Sequence, residues 1–225
     1  MKLYSYVVTH DTGFAPNPFW GYCTLATCKP TIRKKAEIGD WVVGLSPKKH
    51  GHRLIYAMEV TETLSFDTYF NDRRFAKKRP DCNGKTGTKS RRAMRRCGDN
   101  IYKPLGNGAY QQLQSGHSGP EPFGREENPR TKKKDLGDHP DKRGALISKK
   151  GHFYYFGAEA LKLPDGLLAR LQVGRAHRVL DTESPRDKTA IKKFISFLQR
   201  KVPSGYCGNP TKSPDEKERS GGHCA

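Results

Sequence analysis

The sequence predicts an α+β protein: a small mixed or antiparallel β-barrel with short peripheral helices and one long basic insertion. Three observations predict it. Short runs rich in aromatic and β-branched residues recur through the first sixty positions and again near 145–156, punctuated by turn residues and not alternating with helices as βαβ units would. One amphipathic stretch lies near the C-terminal end, and between about residues 76 and 143 apolar periodicity disappears.

Leu3 to Thr9 reads as a buried strand. A turn-rich loop follows from His10 to Gly21, with Gly13, Pro16, Asn17 and Pro18 as breakers, and Tyr22 to Ala26 is a short strand. Thr31 caps a brief helix that Gly39 stops, and Trp41 to Leu45 is the next strand. After a basic turn at Pro47–His52, the run Arg53 to Val60 lacks alternation, which suits a strand buried on both faces. Ser65 to Phe70 places Phe66, Tyr69 and Phe70 at helical spacing. Residues 76–143 hold few apolar anchors and read as an insertion, not a second core. Ala145–Ser148 and His152–Phe156 read as a hairpin across Lys149–Gly151, and a short helix starts near Pro164. In the closing helix, Pro185 to Lys201, Ser184 is the cap and Pro185 the first helical residue. Ile191, Phe194, Ile195 and Leu198 form one stripe, with Lys192, Lys193, Arg200 and Lys201 off it. The expected organisation is therefore a single domain over 1–201 and a flexible tail over 202–225.

The 225 residues carry 42 Lys+Arg against 23 Asp+Glu, a net charge of +19. Between Arg73 and Arg96 there are eleven cations and one acid, Asp81, so about half of the excess sits in this arc. A disordered, solvated loop is one reading of it. The other is contact with a nucleic-acid backbone, because neutralising phosphates releases counterions. Arg73, Arg74, Lys77, Lys78, Arg91, Arg92, Arg95 and Arg96 are the candidate phosphate-binding residues.

Six cysteines are too few for a disulfide scaffold, and their spacing does not match a zinc knuckle, so no metal is expected. Neither a Walker loop nor a dinucleotide glycine fingerprint is present, and no cofactor is expected. No apolar run is long enough to span a bilayer and the N-terminal residues lack a cleavage site, so the expected location is cytoplasmic. His50 and His52 flank Gly51 in a basic turn suited to phosphate or solvent.

The segment Gly13 to Thr24 places four aromatics within nine residues of a loop stiffened by Pro16 and Pro18. Aromatic faces stack on extruded bases, and Asn17 and Thr24 offer groups that read a base edge. Phe14, Asn17, Trp20, Tyr22, Thr24 and Trp41 are the candidate base-binding residues. The competing reading is a minor core that plugs one end of the barrel.

Gly39-Asp40-Trp41 entering a strand, then Ile55 to Thr63, then Phe66 to Phe70, resembles the order of motifs in the EVE and ASCH members of the PUA-like superfamily. Tyr4-Ser5-Tyr6-Val7-Val8, Gly13 to Phe19, Cys23 to Pro30, Gly39-Asp40-Trp41, Ala145 to Ser148 and Phe153 to Gly157 together resemble the nucleotide modification associated domain, type 2 family, over roughly residues 3–171. The resemblance implies a PUA-like barrel that binds DNA or RNA carrying a modified base, associated with systems that make or recognise modified nucleotides. Recognition, not catalysis, is the leading expectation. The alternative it implies is a hydrolase or modifying enzyme acting on a modified nucleoside or nucleotide by ASCH-like amidohydrolase chemistry, with Lys29, Thr24 and Glu59 as its catalytic residues.

Overall fold

A computed structural model describes residues 1–115, 129–172, 174 and 176–212. In chain order the strands are β1 (Lys2–Val7), β2 (Tyr22–Leu25), β3 (Trp41–Leu45), β4 (Leu54–Glu59), β5 (Glu62–Leu64), β6 (Tyr102–Gly106), β7 (Ala109–Gln112), β8 (Ala145–Lys149), β9 (Phe153–Tyr155), β10 (His177–Asp181) and β11 (Gly205–Tyr206). The helices are α1 (Pro30–Lys35), α2 (Phe66–Asn71), α3 (Lys89–Arg96), α4 (Pro129–Leu136), α5 (Asp165–Leu171) and α6 (Pro185–Lys201). Among the described residues no helix is long and apolar enough to cross a membrane.

The chain forms two compact units. Among the described residues, the first comprises Met1–Asp11, Ala36–Glu62 and Ser148–Thr211, and the second comprises Thr12–Lys35, Thr63–Ile147 and Lys212.

In the first unit, six strands lie in the order β10-β1-β3-β4-β9-β11. β1 runs parallel to β3 and β9 parallel to β11, while the pairs β10–β1, β3–β4 and β4–β9 are antiparallel. The alternation of side chains sorts one face of this sheet toward α5 and α6. Leu3, Trp41, Val43, Leu45 and Leu180 meet Leu167, Leu171, Ile191, Phe194 and Leu198 there in one buried cluster. The stripe predicted for α6 is the stripe that packs, and Ser184 accepts from the Asp187 amide as its cap. Gly44 lets β3 and β4 close up: a Cβ there would fall 2.3 Å from the Tyr56 ring.

This sheet is open, with β10 and β11 as its edges, and no barrel closes among the described residues. Of the expected fold the structure shows the mixed α+β part, in which β2, β8 and β5 pair with one another in a separate three-stranded sheet. The hairpin expected at 145–156 does not form. The turn at Lys149–His152 only reverses the chain, and β9 pairs with β4 and β11 through Tyr56↔Tyr155 and Gly205↔Tyr154. Residues past Pro203, expected as tail, include β11, and the Thr211 amide donates to Asp11.

In the second unit, the stretch read as an unstructured insertion carries a 3-10 turn (Arg73–Lys78), α3, the β6–β7 hairpin and α4. Its few apolar residues suffice because they cluster. Ile101, Tyr102 and Tyr110 bury against Phe14 and Phe66, while Tyr69 and Phe75 pack with Ala26, Ala145 and Ile147.

Candidate functional site

The loop 13–24 closes on itself by reciprocal backbone bonds between Asn17 and Thr24, at 2.8 and 2.9 Å. Its interior is polar. Lys78, wholly buried at the end of the 3-10 turn, donates from Nζ to Asn17 Oδ1 (2.7 Å), Asn17 O (2.9 Å) and Tyr22 O (3.0 Å). One ammonium therefore ties both limbs of the loop to the basic turn. Asn17 Nδ2 donates to Cys97 O at 2.7 Å, anchoring the same loop to the end of α3.

Beside this anchor sits a buried carboxylate. Thr24 Oγ1 donates to Asp99 Oδ2 at 2.8 Å, Tyr69 OH donates to Asp99 Oδ1 at 2.7 Å, and the Ala26 amide adds a third donor at 3.3 Å. Tyr69 OH lies 3.2 Å from Thr24 Oγ1, so hydroxyl, phenol and carboxylate meet in one cluster. Asn100 Nδ2 donates to Tyr69 O, and the Asn100 amide to Lys78 O. Burial dominates the electrostatics here. It draws the Lys78 ammonium down from 10.5 to about 8, against the pull of Asp99, and it raises Asp99 above the ordinary carboxylate range despite Lys78 and its hydrogen bonds. Cys23 and Tyr69 are pushed up for the same reason. An amine whose burial draws it down to about 8 and a threonine held by a carboxylate are groups suited to proton transfer and nucleophilic attack.

The outer side of the same turn is cationic. Arg73, Lys77 and Arg91 are exposed and make no ion pair among the described residues. Lys77 places its Nζ 5.6 Å from the centre of the Trp20 ring. Trp20 is half-buried at φ +64°, a left-handed conformation unusual for a large side chain, and its Nε1 is enclosed with no hydrogen-bond partner among the described residues. Gly21 beside it is exposed. Arg74 bonds Asp72 and lies over Phe75, Arg95 pairs with Asp81 at 3.1 Å, and Arg92 and Arg96 are half-buried on α3.

Of the predicted base-binding residues, Trp20 and Tyr22 keep part of their surface, Tyr22 resting edge-on against Phe75 at 5.1 Å. Asn17 and Thr24 are wholly buried in the polar cluster. Phe14 lies in the core with Phe66 and Tyr102, and Trp41 lies in the first unit, edge-on to Phe194. Of the residues named for catalysis, Thr24 and the half-buried Lys29 belong to the second unit. Glu59 belongs to the first, where its Oε2 is 2.7 Å from His152 Nδ1. Lys78, expected among the phosphate contacts, points inward.

Sequence reasoning missed Asp99, Tyr69 and Asn100. One signal was available: Cys97-Gly98-Asp99-Asn100-Ile101-Tyr102 embeds an Asp-Asn pair among apolar residues inside a basic stretch. Gly98 is required there, since a Cβ would fall 2.2 Å from Lys78 O. Arg33 was also missed, being read only as part of the brief helix that Thr31 caps. Buried, it donates to Cys28 O, Gly144 O and Asp135, whose other oxygen accepts from Tyr102 OH. Among the described residues no group of histidines, cysteines and acids could hold a metal ion.

No curated protein and no solved structure matches the chain. A family model does, and it takes in both units, the polar cluster and the basic arc: matched over residues 1–217, the chain belongs to the family described as nucleotide modification associated domain 2.

Proposed function

We propose that this protein recognises nucleic acid and holds one modified or unpaired base against Trp20. The observation that carries the reading is the meeting of Trp20 with Lys77 on a turn where Arg73 and Lys77 are exposed and make no ion pair among the described residues. An indole supplies a stacking face, the ammonium beside it meets phosphate, and the buried Lys78 ties the loop that presents the first to the turn that presents the second. Tyr22 flanks the base, Asn17 and Thr24 act as framework, and Arg73, Arg74, Lys77 and the arginines of α3 follow the backbone. The kinship with PUA-like EVE and ASCH domains, drawn from the order of motifs, and a cytoplasmic location belong to this proposal. Binding to single-stranded and duplex oligonucleotides, plain and base-modified, measured across a salt series tests it. Each phosphate contact contributes about 0.7 to 0.9 to the logarithmic slope, and Trp20→Ala weakens binding by about 1 to 3 kcal/mol. A slope near zero, or Trp20→Ala binding as wild type with its fold intact, refutes it.

A second reading is favoured by one observation: Thr24 bonds Asp99 in the cluster where Lys78 is drawn down to about 8. Here Lys78 and Asp99 take the places first assigned to Lys29 and Glu59 in hydrolysis of an acylated nucleoside. Because Thr24 and Lys78 are wholly buried, this reading requires the loop 13–24 to open. Release of product from N-acylated cytidine by the wild type, abolished in Thr24→Val, is its test; absence of turnover removes it.

A further inference from the structure

The first unit carries a cationic feature that the proposed site does not use. Between β3 and β4 the chain runs Pro47-Lys48-Lys49-His50-Gly51-His52-Arg53, three cations and two imidazoles with no acid. Lys48, Lys49, His50 and Arg53 are exposed and make no ion pair among the described residues. The tip is rigid. Ser46 is buried, its Oγ accepts from the Arg53 amide at 2.8 Å, and the Ser46 amide donates to Arg53 O at 2.8 Å. Inside that closure, His50 and Gly51 donate to Pro47 O and Lys48 O, with Gly51 and His52 both left-handed at φ +79° and +49°. His52 is half-buried and its Nδ1 is enclosed without a partner among the described residues.

We infer that this hairpin tip is a second phosphate-binding surface, by which the first unit itself contacts nucleic-acid backbone. The inference rests on the proposed nucleic-acid reading. A solvated turn needs neither a fixed backbone nor two left-handed residues, one of them a histidine. A partner protein would need apolar or aromatic anchors at its centre, and a bilayer would need apolar side chains to insert; the tip offers neither. Contacts to phosphodiester oxygens need only cations, imidazoles and backbone amides held in place. Because the tip touches phosphates and no base edges, its contribution is independent of sequence and of base modification.

The test is the salt dependence of binding to a labelled single strand and its duplex, for wild type, Lys48→Ala/Lys49→Ala, and the equal-charge control Lys150→Ala/Lys162→Ala, whose lysines are also exposed in the first unit. Losing two phosphate contacts lowers the slope by about 1.4 on the single strand and about 1.8 on the duplex, equally for plain and modified strands. The control keeps the wild-type slope. Equal loss in both variants means diffuse charge and overturns the inference, as does displacement of the tip's contribution by polyglutamate as readily as by plain DNA. An unchanged slope in Lys48→Ala/Lys49→Ala with the wild type still binding overturns this inference alone. Absence of wild-type binding removes the proposed function along with it.

Discussion

Lys78 lets the electrostatics of the loop be tested apart from any ligand. Burial draws its folded value from 10.5 to about 8, so between these values the unfolded chain holds a proton that the folded chain has released. Stability contributed by this group therefore rises with pH across that window, and the gain from about pH 7.5 to about pH 9.5 is roughly 2 kcal/mol. Lys78→Met keeps the stem and removes the ammonium. At neutral pH the variant leaves three oxygens, Asn17 Oδ1, Asn17 O and Tyr22 O, without this donor, but it also escapes the cost of a buried charge. Asn17 O retains the Thr24 amide as a donor. The net loss is then about 1 to 3 kcal/mol, dominated by Tyr22 O. Urea unfolding of both proteins at the two pH values gives the answer as a difference of differences, in which the opposing contributions of Cys82 and Cys207, whose thiols burial raises, largely cancel. A stability gap between the proteins that stays constant from about pH 7.5 to 9.5 would show that Lys78 is not the buried, shifted cation described here.

Arg33→Ala removes one partner of a buried pair with Asp135 whose side chains are 4% and 3% exposed, and lowers stability by about 3 to 5 kcal/mol in urea unfolding. Asp99 behaves oppositely to Lys78: its raised carboxyl holds a proton more tightly in the folded chain, so its contribution is fully present below pH 3.8 and is lost as pH rises through the folded value. Asp99→Asn removes that component, so the stability difference between wild type and variant, measured from acid to neutral pH, changes in favour of the variant as pH rises.

The elements that were legible from the sequence are those whose own side chains decide them. α6 has its cap, its proline and its stripe in one stretch, and β3 is apolar along its length. What was not legible depends on partners far away in the chain. Whether β8 and β9 form a hairpin or join different sheets is settled by β2, β5 and β4, which no local pattern reveals. The β6–β7 hairpin was an avoidable loss: Asn107-Gly108, at φ +47° and +77°, is a two-residue turn signal that the surrounding charge obscured. The site divides the same way. The loop 13–24 announces itself by aromatic density, but its interior is built from Lys78, Asp99 and Asn100, whose burial only the fold discloses. A lysine in a run of cations reads as surface because most are.

Adjacent positions on one turn thus do different work, and that makes the proposed interface separable from its support. Lys78 holds the loop from within, whereas Lys77 is exposed and places its Nζ 5.6 Å from the centre of the Trp20 ring. Lys77→Met gives up an exposed cation–π contact worth about 0.5 to 1 kcal/mol, so its unfolding free energy moves little. Its effect on nucleic acid is larger in kind: one phosphate contact is lost and the salt slope falls by about 0.7 to 0.9. Lys78→Met, by contrast, loosens the loop and weakens binding mainly through Trp20, leaving the slope near the wild-type value. If Lys77→Met instead binds with unchanged slope, or Lys78→Met lowers the slope as Lys77→Met does, then the ammonium over the indole is not a phosphate contact, and the charge that steers nucleic acid must lie elsewhere on the second unit.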